Sequence, residues 1–157
     1  MRFSIKNIIN KLIKKKITIS VAESCTGGSF SSEITSISGS SKVFKLGLVT
    51  YSNSSKSYVL KVPKKIIKKY GAVSKQVCLQ MVNKITKIGN SNMGIAITGI
   101  AGPSGGNKEK PVGLVYIGIK KGNKVKIVKC LFKNQGRLRI KKAATNKAFG
   151  LILSFVK

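Results

Sequence analysis

The sequence predicts an α/β protein, a three-layer α/β/α sandwich around a mixed, mostly parallel sheet with a hairpin in its C-terminal half. Three observations carry that prediction. Apolar runs at 17–22, 43–51 and 93–98 each end abruptly in a loop of Ser, Thr, Gly or Asn. Segments whose apolar residues recur at helical spacing alternate with those runs. A later pair of apolar stretches flanks Gly122-Asn123, a hairpin signal that makes the sheet mixed. Ligands of open α/β sheets collect at the carboxyl ends of the strands, which is where the three polar loops fall.

Each element has its own reason. Residues 4–15 place Ile5, Ile8, Ile9, Leu12 and Ile13 on one face of a first helix. The strand at 17–22 gives way at Glu23-Ser24-Cys25-Thr26-Gly27-Gly28, and a helix over 28–36 follows. Residues 38–41 form a turn, and 43–51 a second strand. Ser52 or Asn53 caps a short helix running toward Leu60. Pro63 opens another, which Gly71 closes. Ser74 caps a longer helix with Val77, Leu79, Met81, Val82 and Ile85 as its apolar residues. The strand at 93–98 runs into the glycine-rich loop 99–106. Strands at 112–120 and 124–132 make the hairpin. From Arg137 onward, Ile140, Ala143, Ala144, Ala148, Leu151 and Ile152 mark a closing helix.

Composition narrows the function. A chain of 157 residues with 42% hydrophobic content fits one domain, residues 1–157, with a sizeable core. No apolar run reaches the roughly 18–20 residues that span a bilayer. The first sixteen residues alternate apolar and basic groups, so they read as an amphipathic helix, not a signal peptide. The expectation is a soluble, cytoplasmic protein with no membrane partner. Cys25, Cys78 and Cys130 are too few and too widely spaced for a disulfide framework or a zinc pattern. Histidine and aspartate are absent, which removes Ser–His–Asp and Cys–His machinery and argues against zinc. No metal and no cofactor are expected.

The net charge is +28, yet only Arg2, Arg137 and Arg139 of the 31 basic residues are arginines. Nucleic-acid binders cluster their charge and use arginine forks. Lysines scattered over every segment accord better with compositional drift than with a polyanion footprint, so no specific nucleic-acid partner is expected. Weak, salt-sensitive binding is expected in either case. The only acids are Glu23, Glu33 and Glu109, and the first and last flank the small-residue motifs at 24–28 and 110–113.

The chemistry gathers at the first polar turn. Ser24 and Cys25 are both nucleophile candidates, and the N–H groups of Thr26, Gly27 and Gly28 can face a developing negative charge. The plain alternative is an ordinary βα turn in which Ser or Thr caps a helix and Gly permits the bend. Without histidine, a serine mechanism calls for a lysine base. Lys56, just past Tyr51 at the second strand's end, is the candidate.

Six blocks occur in order: residues 22–28 (AESCTGG), 39–41 (GSS), 51–56 (YSNSSK), 71–74 (GAVS), 98–103 (TGIAGP) and 109–113 (EKPVG). The series closely resembles the CinA C-terminal domain family, which contains nicotinamide-nucleotide amidohydrolases, over roughly residues 5–155. The resemblance implies an α/β/α fold and hydrolysis of nicotinamide mononucleotide to nicotinate mononucleotide and ammonia. Ser24 then matches the nucleophile and Lys56 its base, while Tyr51 and Thr98 match polar partners in the same pocket. Arg137 is the choice for the family's arginine near the start of the last helix, with Arg139 and Lys141 as alternatives. The substrate phosphate would suit a helix N-terminus or the 99–106 loop, with Gly99 and Gly102 among its contacts. The resemblance selects Ser24 over Cys25, which is expected to pack beneath the turn. Many members carry a larger N-terminal domain, and this chain resembles the stand-alone form. Its partners are expected to be a small-molecule nucleotide and further copies of itself, a dimer being favoured. It departs from the family at Ser104, where Asp is common, and in tail lysines where arginines are frequent. A nucleotide-binding module without catalysis, or a basic nucleic-acid-binding protein, are the rival readings.

Overall fold

The computed structural model describes residues 4–156, so Arg2 lies outside the described residues. Helix α1 (Ile5–Lys14) buries Ile8, Ile9 and Leu12. Strand β1 (Ile19–Glu23) is buried throughout, and α2 (Ser29–Thr35) follows the turn at 24–28. A single 3-10 turn (Ser40–Lys42) leads into β2 (Phe44–Val49). Two short helices come next, α3 (Asn53–Tyr58) and α4 (Lys64–Tyr70), and then α5 (Lys75–Ile88). Strands β3 (Met93–Gly99), β4 (Leu114–Lys121) and β5 (Lys124–Leu131) precede the last helix, α6 (Arg137–Phe155).

The five strands lie in the order β2-β1-β3-β4-β5. β1 pairs in parallel with β2 and β3, whereas β3–β4 and β4–β5 are antiparallel. Four strands therefore run one way and β4 alone runs back. That is the mixed, mostly parallel sheet the sequence implied, with its hairpin at the end.

Side-chain size decides how the two helical layers sit. β3 points Met93, Ile95 and Ile97 into a core shared with α1, α2 and α6. Ring centroids of Phe30 on α2 and Phe149 on α6 stand 4.4 Å apart within it. The other face carries small residues, Ala22 and Ala96 among them, against Val77, Cys78, Met81, Val82 and Ile85 of α5. A Cβ on Gly94 would lie 1.9 Å from Thr86 Oγ1, and one on Gly118 3.2 Å from Cys78 Sγ. Glycine at those two positions lets α5 lie close to the sheet.

Some boundaries move for local reasons. Ile17 N–H bonds to Leu12 O and closes α1, so β1 begins two residues later than its apolar run. Pro63 is the N-cap of α4, not its first residue. Cys78, not Leu79, takes the buried place on α5. Ser52 is the α3 cap: its hydroxyl accepts from Ser55 N–H at 3.0 Å, while Ser55 Oγ accepts from Ser52 N–H at 3.1 Å. Among the described residues no helix is long and apolar enough to cross a membrane.

Candidate active site

β1, β2 and β3 run in parallel, so their polar ends meet on one edge of the sheet. A cavity of about 290 Å³ opens there, lined by Ser24 and Cys25 after β1 and by Tyr51 and Lys56 after β2. Thr98, Gly99 and Gly102 from the end of β3 also face it, with Arg137 from the start of α6. The volume is at the low end of ordinary small-molecule pockets, ~300–1,000 Å³. A larger cleft, about 780 Å³, lies at the opposite end of the sheet around Asn92 and Lys121. Its hydroxyls on Thr86, Ser91 and Ser154 already donate to the carbonyls of Val82, Met93 and Leu151. Among the described residues that cleft brings no lysine ammonium against a hydroxyl.

The smaller cavity does. Lys56 Nζ lies 2.9 Å from Ser24 Oγ and 2.7 Å from Thr50 O. Lys56 is 1% exposed, held by a one-and-a-half-turn helix that its capping box fixes just after β2. Burial pushes its pKa down from 10.5 to about 8, with the charge of an ionised Cys25 acting the other way. Thr50 N–H in turn donates to Glu23 O at 2.8 Å, which joins the lysine's support to the end of β1. Nothing in the side chain of Thr50 signals this role, because its carbonyl makes the contact.

The turn itself is fixed by Glu23. Its fully buried carboxylate accepts from Gly28 N–H, Phe30 N–H, Ser31 N–H and Ser31 Oγ, at 2.7–3.2 Å. These are donors of the first turn of α2, which no side chain at its N-cap satisfies. Gly28 adopts a φ of 94°, a left-handed conformation that glycine tolerates without strain.

This arrangement corrects the expected set of oxyanion donors. Gly27 N–H donates to Ser24 O and Gly28 N–H to Glu23, so neither is open to a ligand. Thr26 is fully buried, and none of the three borders the cavity. Cys25 does border it, and among the described residues its N–H donates to no other residue, lying beside its own thiol sulfur. Its thiol belongs to the apolar core, 5% exposed, and burial pushes it up to about 12. Lys56 separates the two: its Nζ reaches Ser24 Oγ, while the Cys25 thiol packs in the core.

The remaining expected residues gather at the mouth and walls. Arg137 donates to Tyr51 Oη at 2.6 Å and to Gly102 O at 2.7 Å, bridging two loops. Thr98 Oγ1 donates to Ala72 O at 2.9 Å, so toward a ligand its oxygen offers only acceptor capacity. Lys141 Nζ stands 3.5 Å from where a Gly27 Cβ would lie, Arg139 is exposed, and neither lines the cavity. Ala72 and Val73 line the cavity as well. They belong to a block that the sequence singles out without a role. Among the described residues no group of three or more His, Cys, Asp or Glu is close enough to hold a metal ion.

Fold and site together define an α/β/α protein with a buried Ser–Lys pair at the carboxyl edge of its parallel strands. The chain belongs to the CinA C-terminal domain family, whose model matches residues 2–156. It is 49% identical over 151 residues to a CinA-like protein of Prochlorococcus marinus subsp. pastoris, covering 93% of this chain and 35% of that one. The chain thus spans about a third of the length of the curated relatives it matches. A solved structure of the competence/damage inducible protein CihA from Agrobacterium tumefaciens superposes with a TM-score of 0.92 at 35% identity, each chain covered in full. A CinA superfamily structure from Enterobacter cloacae gives 0.92 at 26% identity, over 100% of this chain and 95% of that one.

Proposed function

We propose that the chain is an amidohydrolase that converts nicotinamide mononucleotide to nicotinate mononucleotide and ammonia. The observation that carries this reading is the 2.9 Å contact between Ser24 Oγ and a buried Lys56 whose pKa is lowered to about 8. A general base works best when its pKa lies near the working pH, and an ordinary lysine is too basic. At pH 7 about a tenth of a lysine with that value is neutral. In the neutral form the contact reverses its donor, and the serine hydroxyl donates to Nζ. Thr50 O keeps one Nζ–H engaged, which helps aim the lone pair at Ser24.

The steps follow from this pair. Ser24 Oγ attacks the carboxamide carbon and its proton passes to Lys56. The Cys25 N–H supports the oxyanion. The tetrahedral adduct collapses, breaking the C–N bond, and Lys56 returns the proton to departing ammonia. A water then gives its proton to Lys56 and attacks the acyl-enzyme ester, releasing the carboxylate and restoring Ser24. The phosphate end of the substrate falls to Arg137 and to the N–H groups of Ala101, Gly102 and Gly105. Among the described residues those three N–H groups have no protein acceptor. Tyr51 steadies Arg137 from the other side.

Ammonia release from nicotinamide mononucleotide, with Ser24→Ala as the control, tests the proposal. Wild type should turn over and the variant should not. Binding without ammonia release by wild type between pH 6 and 10 would assign the pocket to a non-catalytic nucleotide-binding module instead.

A further inference from the structure

Residues 71–74 join α4 to α5 without forming a helix or strand, yet Ala72 and Val73 form part of the cavity lining. An irregular segment can hold a ligand-facing wall only if its backbone groups are tied elsewhere. Two side chains do this, and a third ties the last residue of α4 just before it. Ser74 Oγ donates to Gly71 O at 2.8 Å and Thr98 Oγ1 to Ala72 O at 2.9 Å. Lys110 Nζ donates to Tyr70 O at 2.5 Å.

Lys110 is the tie that comes from farthest away. It stands in the loop between β3 and β4, whose earlier residues, from Ile100 to Gly105, also line the cavity. Its own backbone is fixed: Lys110 N–H donates to Asn107 Oδ1 at 2.7 Å, and Asn107 N–H donates to Lys110 O at 2.9 Å. The ammonium sits at the C-terminal end of α4, where outward-facing carbonyls favour a cation. Gly71 makes room for it. A Cβ there would come within 2.8 Å of Nζ, and its φ of +77° already favours glycine.

We infer that Lys110 is a positioning residue that sets the spacing between two walls of the ligand cavity, the Ala72–Val73 wall and the 100–105 loop. It governs how tightly a ligand with a flat ring and a sugar phosphate is gripped, without touching that ligand. The inference rests on the amidohydrolase reading for its substrate, but not for the tie itself.

Two readouts separate the two parts. Lys110→Met keeps the side-chain stem and removes the donor, and Lys110→Arg keeps a cation that can reach the same carbonyl. Amide hydrogen exchange should speed up at 71–76 in Lys110→Met and not in β1 or α6. For nicotinamide mononucleotide, KM should rise about tenfold with kcat within about twofold, the pattern of lost uniform binding. The pH at which kcat is half-maximal should stay in place, because Lys56 is supported from β1 and β2. Lys110→Arg should restore most of both effects. Unchanged exchange at 71–76 would overturn the tie, and faster exchange with unchanged KM would overturn its role in binding. Absence of ammonia release by wild type would instead count against the amidohydrolase reading, and exchange would still decide whether Lys110 holds the wall.

Discussion

Ser24 and Lys56 act as a unit in the proposed chemistry, so their substitutions should not add. Ser24→Ala is expected to lower ammonia release by at least about a thousandfold while leaving nucleotide binding measurable by calorimetry. Lys56→Met should be similarly inactive, and the double variant scarcely worse than either. The rate at limiting substrate should climb as pH rises through about 8, where Lys56 loses its proton. Stability should move with the same titration. The folded chain releases this proton near pH 8, below the ordinary lysine value of 10.5, so above pH 8 the unfolded state holds the extra proton. Stability therefore rises with pH from about 8, by about 1.4 kcal/mol per pH unit at most. Above about pH 9 the thiols of Cys25, Cys78 and Cys130, all pushed up by burial, oppose it, because the unfolded chain then loses their protons first. Denaturant titrations between pH 7 and 9 check the sign. Lys56→Met should abolish the rise and be more stable than wild type at pH 7, by up to about 3 kcal/mol. Cys25→Ala should keep most of the activity, since the thiol faces core and only the N–H serves the site.

At the scale of elements, the turn after β1 depends on α2 being tied back to β1 through one carboxylate. Glu23→Gln keeps the shape but sets an amide N–H₂ against backbone donors, leaving buried groups unpaired. A loss of roughly 2–3 kcal/mol is expected, seen as a thermal midpoint lower by roughly 5–10 °C. A smaller effect on stability with a large loss of activity would mean that Glu23 serves chemistry more than the helix start. The tight seat of α5 gives a second check. Gly94→Ala drives a methyl group into Thr86 and Val82, whose atoms lie 1.9–3.0 Å from the new Cβ, so a cost of about 1–3 kcal/mol is expected.

The whole molecule carries its lysines on both helical layers and on an edge strand. They occur on α1, α4, α5 and α6, and at 124, 126 and 129 of β5. Such a spread gives long-range attraction to polyanions without a binding geometry. Association with duplex DNA should be detectable at low salt and vanish near physiological salt. A nanomolar complex that persisted there would show that the charge has a defined partner. At β5, the three lysines also deter edge-to-edge pairing of the sheet.

The sequence by itself determined the fold class, because the period of the apolar residues and the polar breaks after each run are local features. It also marked Ser24, Lys56, Tyr51, Thr98 and Arg137 as residues to be brought together. Their separation along the chain gave no distance between them; strand order did that, by placing β1 between β2 and β3. Only the tertiary structure decided which donors of the turn after β1 are engaged, because Glu23 and Ser24 take the N–H groups of Gly28 and Gly27. The parts played by the Thr50 carbonyl and by Lys110 were equally invisible in sequence. Both act through backbone carbonyls, whose partners depend on where the chain returns, and in a chain with lysines in every segment the Lys110 ammonium does not stand out until it is seen against the end of a helix.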